Sequence, residues 1–252
     1  MNPHRLLSPI GVPTRDTVAF ISTHTEPPAT LIEVGCGRGE VARELIGRGF
    51  RVIALDSDPE SVSTAVANGV HAIVASWPEF DCQAVDAVVF TRSLHHMEAL
   101  GDAVRRAKEL LRPGGVLLVE DFAYDSADQS TIDWFLEILE SPEARTLIVP
   151  TDQGHDLVTD LLKSSAPLDT WAENHDHDLH TVDQMSAAIA REFGSLKKAS
   201  VPYLYRYLVR VLPENPEAAE FLARLYREEA RLGMAGNITL IGCRLIAARA
   251  SI

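Results

Sequence analysis

The chain has 252 residues, 46% hydrophobic and 23% charged, the make-up of a globular protein with a real core in one large domain or two small ones. Its 36 acidic side chains outnumber 23 basic ones, and the net charge of −13 argues against a phosphate backbone as partner. No apolar run approaches the ~20 residues that span a bilayer, and the N-terminal residues lack the apolar segment of a signal peptide. Cys36, Cys82 and Cys243 are scattered, with no C-x-x-C pair, so neither a disulfide framework nor a cysteine metal site is expected. A cytoplasmic protein without a structural metal follows from this.

In chain order, apolar runs at 30–34, 51–56, 71–75, 84–90 and 115–122 predict strands. Between them, helical patterns at 40–49 and 59–69, and an amphipathic stretch before Pro113, predict helices. Strands of this kind alternating with helices predict a parallel sheet covered on both faces. After 122 the rhythm changes to helical patterns near 131–140, 152–164 and 181–193, the last opening on Thr181 with Gln184 three residues on, a capping box. The polar run "APLDTWAENHDHDLH" reads as a loop, 216–232 as a charged helix and 237–250 as a closing apolar strand. The expected organisation is a single domain over 1–252. Its cofactor core spans 29–122, a helical cap about 123–194, and terminal strands and a helix 195–252.

The densest chemistry lies in "LIEVGCGRGE". Gly35, Gly37 and Gly39 follow a strand directly, where bare backbone N–H groups can approach a ligand. The spacing is G-x-G-x-G, not the G-x-G-x-x-G of a dinucleotide loop. Glu33, two residues before the first glycine, would repel a pyrophosphate and suits a cation such as an amino-acid ammonium group. Asp56 ends the second strand 21 residues past Gly35, near the spacing at which a carboxylate grips ribose hydroxyls. A ribose, a cationic amino-acid end and no phosphate describe S-adenosylmethionine.

At these residues the chain resembles the class I S-adenosylmethionine-dependent methyltransferases, their small-molecule subgroup above all. "EVGCGRGE" resembles the first motif of that family, "ALDSDPESV" the acidic second-strand segment, "VDAVVFTRSLHHM" the fourth strand and its turn, and "LLRPGGVLLVED" the turn into the fifth. The resemblance covers about 29–122 and implies a Rossmann-like, seven-stranded, mostly parallel α/β sheet with helices on both faces and an antiparallel last hairpin. It also implies methyl transfer from S-adenosylmethionine to a small-molecule acceptor by in-line displacement, and leaves room for a homodimer. On this reading Glu33 holds the ammonium end, Gly35, Cys36, Gly37 and Gly39 form the cradle, and Asp56 and Ser57 take the ribose side. Thr91 and Arg92 line the sulfonium side. The family's usual Asp after the third strand is replaced by Ser76, so Ser76 and Trp77 are the candidates for the adenine.

Candidate catalytic residues are His95 and His96, just past the fourth strand, and Tyr124, just past the fifth. Each histidine also reads as a residue that packs and hydrogen-bonds locally to fix its turn. Gly39 reads equally as a helix–sheet packing residue, Cys36 as a small packed residue rather than a nucleophile, Asp58 as a helix cap, Arg112 as a helix-dipole partner and Arg244 as half of a structural ion pair. His175, His177 and His180 read as a solvated loop before a metal site, with a lid over the pocket as a third reading. Two rival functions stand beside the main one: a non-catalytic sensor or partner subunit that keeps the pocket, and a nucleotide-cofactor oxidoreductase. The acceptor and its receiving atom are not legible in the sequence.

Overall fold

The computed structural model of the chain describes residues 8–149, 156–175 and 178–251. The strands are β1 (Thr30–Val34), β2 (Arg51–Asp56), β3 (Ala72–Val74), β4 (Val85–Thr91), β5 (Leu111–Phe122), β6 (Lys197–Val201) and β7 (Gly242–Ala248). They form one seven-stranded sheet in the order β3-β2-β1-β4-β5-β7-β6. The first five run parallel, with Ile32 of β1 opposite Ile53 on one side and Val88 on the other. β7 runs the other way along β5: Arg249 donates its amide to the Gly115 carbonyl at one end, while Ala123 donates to Ile241 at the other. The sheet is thus the mostly parallel one expected.

Helices α1 (Gly11–Ser22), α2 (Glu40–Gly47), α3 (Pro59–Ala67), α4 (Leu100–Leu110) and α9 (Val182–Phe193) accompany the sheet. Helices α5 (Gln129–Glu140), α6 (Pro142–Leu147), α7 (Leu157–Lys163), α8 (Pro167–Asn174) and α10 (Pro216–Met234) complete the described α-helices. The chain divides into two compact units. One joins Thr14–Asp121, His180–Ala199 and Cys243–Ile252; the other joins Met1–Pro13, Phe122–Leu179 and Ser200–Gly242.

In the sheet unit, alternate strand residues Leu31, Ala87, Val89 and Leu118 pack against Val18 and Ile21 of α1 and Leu45 of α2. The intervening residues Ile32, Val88, Phe90 and Leu117 are just as buried on the other face. There Trp77 meets Phe90 edge-on, and its indole N–H donates to Ala103 of α4 at 3.0 Å. Burial on both faces explains why these strands read as unbroken apolar runs. Local signals set the helix starts: Asp58 accepts the amides of Glu60 and Ser61 ahead of α3, and the Thr181–Gln184 capping box opens α9.

In the helical unit, Ile132, Phe135, Trp171, Tyr205 and Leu222 form the heart of one apolar cluster. Glu229 of α10 lies fully buried there and accepts the amides of Tyr203 (2.6 Å), Leu204 (3.0 Å) and Tyr205 (3.2 Å). Those bonds hold 204–210 as a tight 3-10 turn, with Tyr205 buried in the cluster.

Other elements depart from the sequence reading. The run read as a loop contains α8, started by Pro167 and anchored by the buried Trp171, too short to show a helical period. The closing strand covers only Gly242–Ala248 of the apolar run. Arg112 sits on β5, not at a helix end, and pairs with Asp86 at 2.8 Å. Arg244 is the buried ion pair expected, bonded to Glu120 and Asp16 at 2.8 Å each.

Candidate active site

A cleft of about 260 Å³ opens at the C-terminal ends of β1, β2 and β4. The strand order reverses between β1 and β4, the place where open α/β sheets bind their ligands. The cleft is built wholly from the sheet unit.

The three glycines of its loop serve different ends. Gly35, with φ +76°, passes so close to the turn after β4 that a Cβ would lie 2.5 Å from Ser93 Cβ. Gly39, with φ +78°, lets α2 settle against Ala65 and Val70, where a Cβ would meet both at 3.0 Å. Gly37, with φ +51°, lines the cleft with nothing within 4 Å of where a Cβ would stand. It is a cradle kept open rather than a packing contact. Its amide donates to Asp56 Oδ2 at 2.8 Å, and the amide of Asp58 donates to Oδ1 at 3.0 Å. Asp56 is thereby fixed at the cleft wall, with lone pairs to spare on each oxygen.

Glu33 lies behind the loop, 1% exposed. Its Oε1 accepts from Thr91 Oγ1 at 3.1 Å, but Oε2 has no hydrogen-bond partner among the described residues. Burial pushes its carboxyl up to about 8, against the opposing pull of the Thr91 hydroxyl and the Arg92 charge. A buried acid oxygen of this kind is chemically suited to accept from a donor or pair with a cation.

The turn after β4 forms the opposite wall. Arg92, Ser93, His96 and Met97 line the cleft. Ser93 Oγ donates to the Val34 carbonyl at 2.5 Å, tying the turn to β1. His95 is buried beneath, its Nδ1 hydrogen-bonded to Asp121 Oδ1 at 2.5 Å. The ring of the exposed His96 lies 4.0 Å from that of His95. His180 braces the turn from outside, donating its amide to the His95 carbonyl at 3.0 Å and Nε2–H to the Met97 carbonyl at 2.8 Å.

Of the remaining sequence candidates, Ser57 and Trp77 line the cleft, whereas Ser76 is exposed and outside the lining, its place taken by Ala75. Cys36 is buried, and burial pushes its thiol up to about 12, which leaves it inert. Tyr124 belongs to the helical unit, where its hydroxyl donates to the Leu179 carbonyl at 3.1 Å and its ring stacks on His175. His175 is spent on Trp171 O (2.7 Å) and the Tyr207 hydroxyl (2.9 Å). His177 lies outside the described residues, and no group of three potential metal ligands forms among those described. No helix among the described residues is long and apolar enough to cross a membrane. Sequence reasoning missed Ser93, Met97, Leu55 and Ala75, ordinary residues that only the convergence of strand ends brings together.

A family model described as a methyltransferase domain matches residues 11–176. The chain belongs to that family. Its sheet is that of the class I members, which depend on S-adenosylmethionine. Among curated relatives, a probable cobalt-precorrin-6B C(15)-methyltransferase (decarboxylating) of Methanothermobacter thermautotrophicus is 34% identical over 96 residues, 35% of this chain and 50% of that protein. A malonyl-[acyl-carrier protein] O-methyltransferase of Enterobacter lignolyticus is 30% identical over 125 residues, 48% of this chain and 49% of its own. The chain thus spans about half the length of these curated relatives. Among solved structures, a Haemonchus contortus phosphoethanolamine N-methyltransferase 2, in complex with phosphomonomethylethanolamine and S-adenosylhomocysteine, aligns with a TM-score of 0.57. It is 12% identical and covers 94% of this chain and 53% of that one, a likeness of fold.

The cleft suits the family's cofactor on its own chemistry. It offers an unsatisfied buried acid beside the glycine loop, a carboxylate braced at the end of β2, an open backbone at Gly37, and apolar surface from Leu55, Ala75 and Trp77.

Proposed function

We propose that the protein transfers a methyl group from S-adenosylmethionine to a small-molecule acceptor. The observation that carries this reading is Glu33 Oε2, a buried acid oxygen with no partner among the described residues, behind a glycine loop whose Gly37 is bonded to Asp56. Glu33 would take the ammonium end, Asp56 and Ser57 the ribose hydroxyls, and Leu55, Ala75 and Trp77 the adenine. When bound, S-adenosylmethionine supplies an electrophilic methyl group on a sulfonium. The protein's own part is orientation, which can supply ~7–11 kcal/mol of barrier reduction.

An acceptor hydroxyl or thiol also needs a base. His96 lines the cleft and is the group in place to take that proton, while Asp121 holds the His95 ring beneath it. Tyr124 is assigned acceptor contact, and the helical segment about 123–194 acceptor choice, within a single working domain over 1–252. A cytoplasmic location and a homodimer complete the proposal; an acidic chain with no basic tract speaks against nucleic acid as acceptor.

Calorimetric titration of the protein with S-adenosylhomocysteine, S-adenosylmethionine and NADH tests this. Micromolar binding of the first two alone, followed by formation of S-adenosylhomocysteine with a metabolite extract, is the expected result. Binding of NADH alone would replace it with an oxidoreductase; binding without turnover would leave a sensor.

A further inference from the structure

We propose that His180 is a positioning residue for the cleft: it clamps the turn that presents His96 and Met97 to the ligand. This deepens the proposed function and rests on it, because a clamped wall matters to the reaction only if the cofactor meets that wall.

The turn after β4 is weak on its own. Its regular part is a single 3-10 turn, Leu94–His96, in which His96 donates its amide to the Ser93 carbonyl at 3.2 Å and Met97 to that of Leu94 at 3.1 Å. So short a helix is marginal, and the carbonyls at its C-terminal end find no partner within it. The start of the turn is tied to the sheet, through Ser93 Oγ on the Val34 carbonyl and through the Asp121 carboxylate beneath His95. Its end is taken by His180. The His180 amide donates to the His95 carbonyl at 3.0 Å, and Nε2–H donates to the Met97 carbonyl at 2.8 Å. The two bonds grip the chain on either side of His96, and both His96 and Met97 line the cleft.

His180 does this from a firm seat. The next residue, Thr181, is the N-cap of α9, and Gln184 Oε1 accepts its amide at 2.8 Å. At the far end of α9, Lys108 of α4 donates to the Glu192 carbonyl and lies 5.9 Å from the centre of the Phe193 ring. His180 belongs to the sheet unit with the cleft, whereas His175 of the same polar run belongs to the helical unit. Helix α9 is thus a splint, fixed at both ends, that carries to the turn a donor the turn lacks.

The consequence is chemical. Misplacing a reacting group by ~1 Å can cost about a hundredfold in rate. A wall ordered in advance also spares a ligand the cost of ordering it on binding.

The experiment compares wild type with His180→Ala, His180→Asn and His180→Gln. Glutamine carries an N–H at about the reach of Nε2 and asparagine only at that of Nδ1, so the pair tests the bond to Met97 and not the bulk of the side chain. The readouts are amide hydrogen exchange over residues 93–98 and calorimetric titration with S-adenosylhomocysteine. His180→Ala and His180→Asn are expected to speed exchange in that segment about tenfold, the size of one lost hydrogen bond. They should weaken S-adenosylhomocysteine about three- to tenfold, while His180→Gln stays within about twofold of wild type in both readouts. The bond from the His180 amide survives in every variant, so the melting temperature should fall by no more than about 4 °C, which certifies the fold. Unchanged exchange in His180→Ala overturns the clamp. Faster exchange with unchanged affinity overturns the positioning role and leaves a structural bond. Equal losses with asparagine and glutamine overturn the assignment to Nε2. If wild type itself does not bind S-adenosylhomocysteine, the cofactor reading of the cleft fails and the positioning role falls with it.

Discussion

Gly37 donates its backbone N–H to Asp56 Oδ2 at 2.8 Å, so the loop after β1 and the end of β2 hold each other in place. A ligand that bonds Asp56 then meets a wall already built, with little ordering left to do on binding. Asp56→Ala removes both the brace and the acceptor oxygens. S-adenosylhomocysteine should bind at least about tenfold more weakly, roughly 1.4 kcal/mol, in a calorimetric titration. Asp56→Asn, which keeps one acceptor oxygen, should fall between; an unchanged affinity in the alanine variant would exclude Asp56 from the site.

The loop glycines separate packing from binding. Gly35→Ala would bring a Cβ within 2.5 Å of Ser93 Cβ and strain a residue at φ +76°. It should cost about 3 kcal/mol or more in urea unfolding. Gly37→Ala meets no neighbour, so its stability cost should be about 1 kcal/mol from the left-handed backbone alone. Its methyl group would still stand in open space beside the cleft and should weaken S-adenosylhomocysteine. Equal stability losses in the two variants would contradict this division.

Glu33 gives a pH signature with a definite sign. Its carboxyl is raised by burial from 4.5 to about 8, so between those values the folded state holds a proton that the unfolded chain has released. Its contribution to stability is complete below the unfolded value and is lost as pH rises through the folded one. The melting temperature of the ligand-free protein should therefore decline across this window, and Glu33→Gln should flatten part of the decline. Glu229, raised by burial to about 7, accounts for a similar slope ending lower. Affinity for S-adenosylhomocysteine should move the other way, rising toward pH 8 as Glu33 ionises opposite the ammonium group. A pH-independent affinity in wild type would rule out that pairing.

Glu229 holds three buried amides, those of Tyr203, Leu204 and Tyr205. Glu229→Ala leaves all three without their acceptor, and at about 1–3 kcal/mol for each orphaned donor the loss should exceed about 3 kcal/mol. Glu229→Gln retains one acceptor oxygen and should cost less. Chemical denaturation followed by tyrosine and tryptophan fluorescence would show both; an alanine variant as stable as wild type would mean that the 204–210 turn is held by other contacts.

The sheet was legible because its strands are buried on both faces, so Leu31–Ile32 and Val88–Val89 leave apolar runs that need no partner to be recognised. α9 was legible from the Thr181–Gln184 capping box, a signal contained in four consecutive residues. α8 was not, because Trp171 supplies most of its buried surface and one residue has no period. The 3-10 turn at 204–210 was not legible either, because the amides of Leu204 and Tyr205 are claimed by a glutamate more than twenty residues away.

By itself the sequence determined the parallel α/β core and the glycine loop with its two acids, because strand burial, turn chemistry and residue spacing are local properties of the chain. Only the tertiary structure decided which groups are satisfied and which are left open. It spent His175 on Trp171 and Tyr207, and Arg244 on Glu120 and Asp16. It left Glu33 Oε2 without a bond among the described residues. Hydrogen bonds and ion pairs between distant strands and helices settle that distribution, and no spacing within a single segment encodes it.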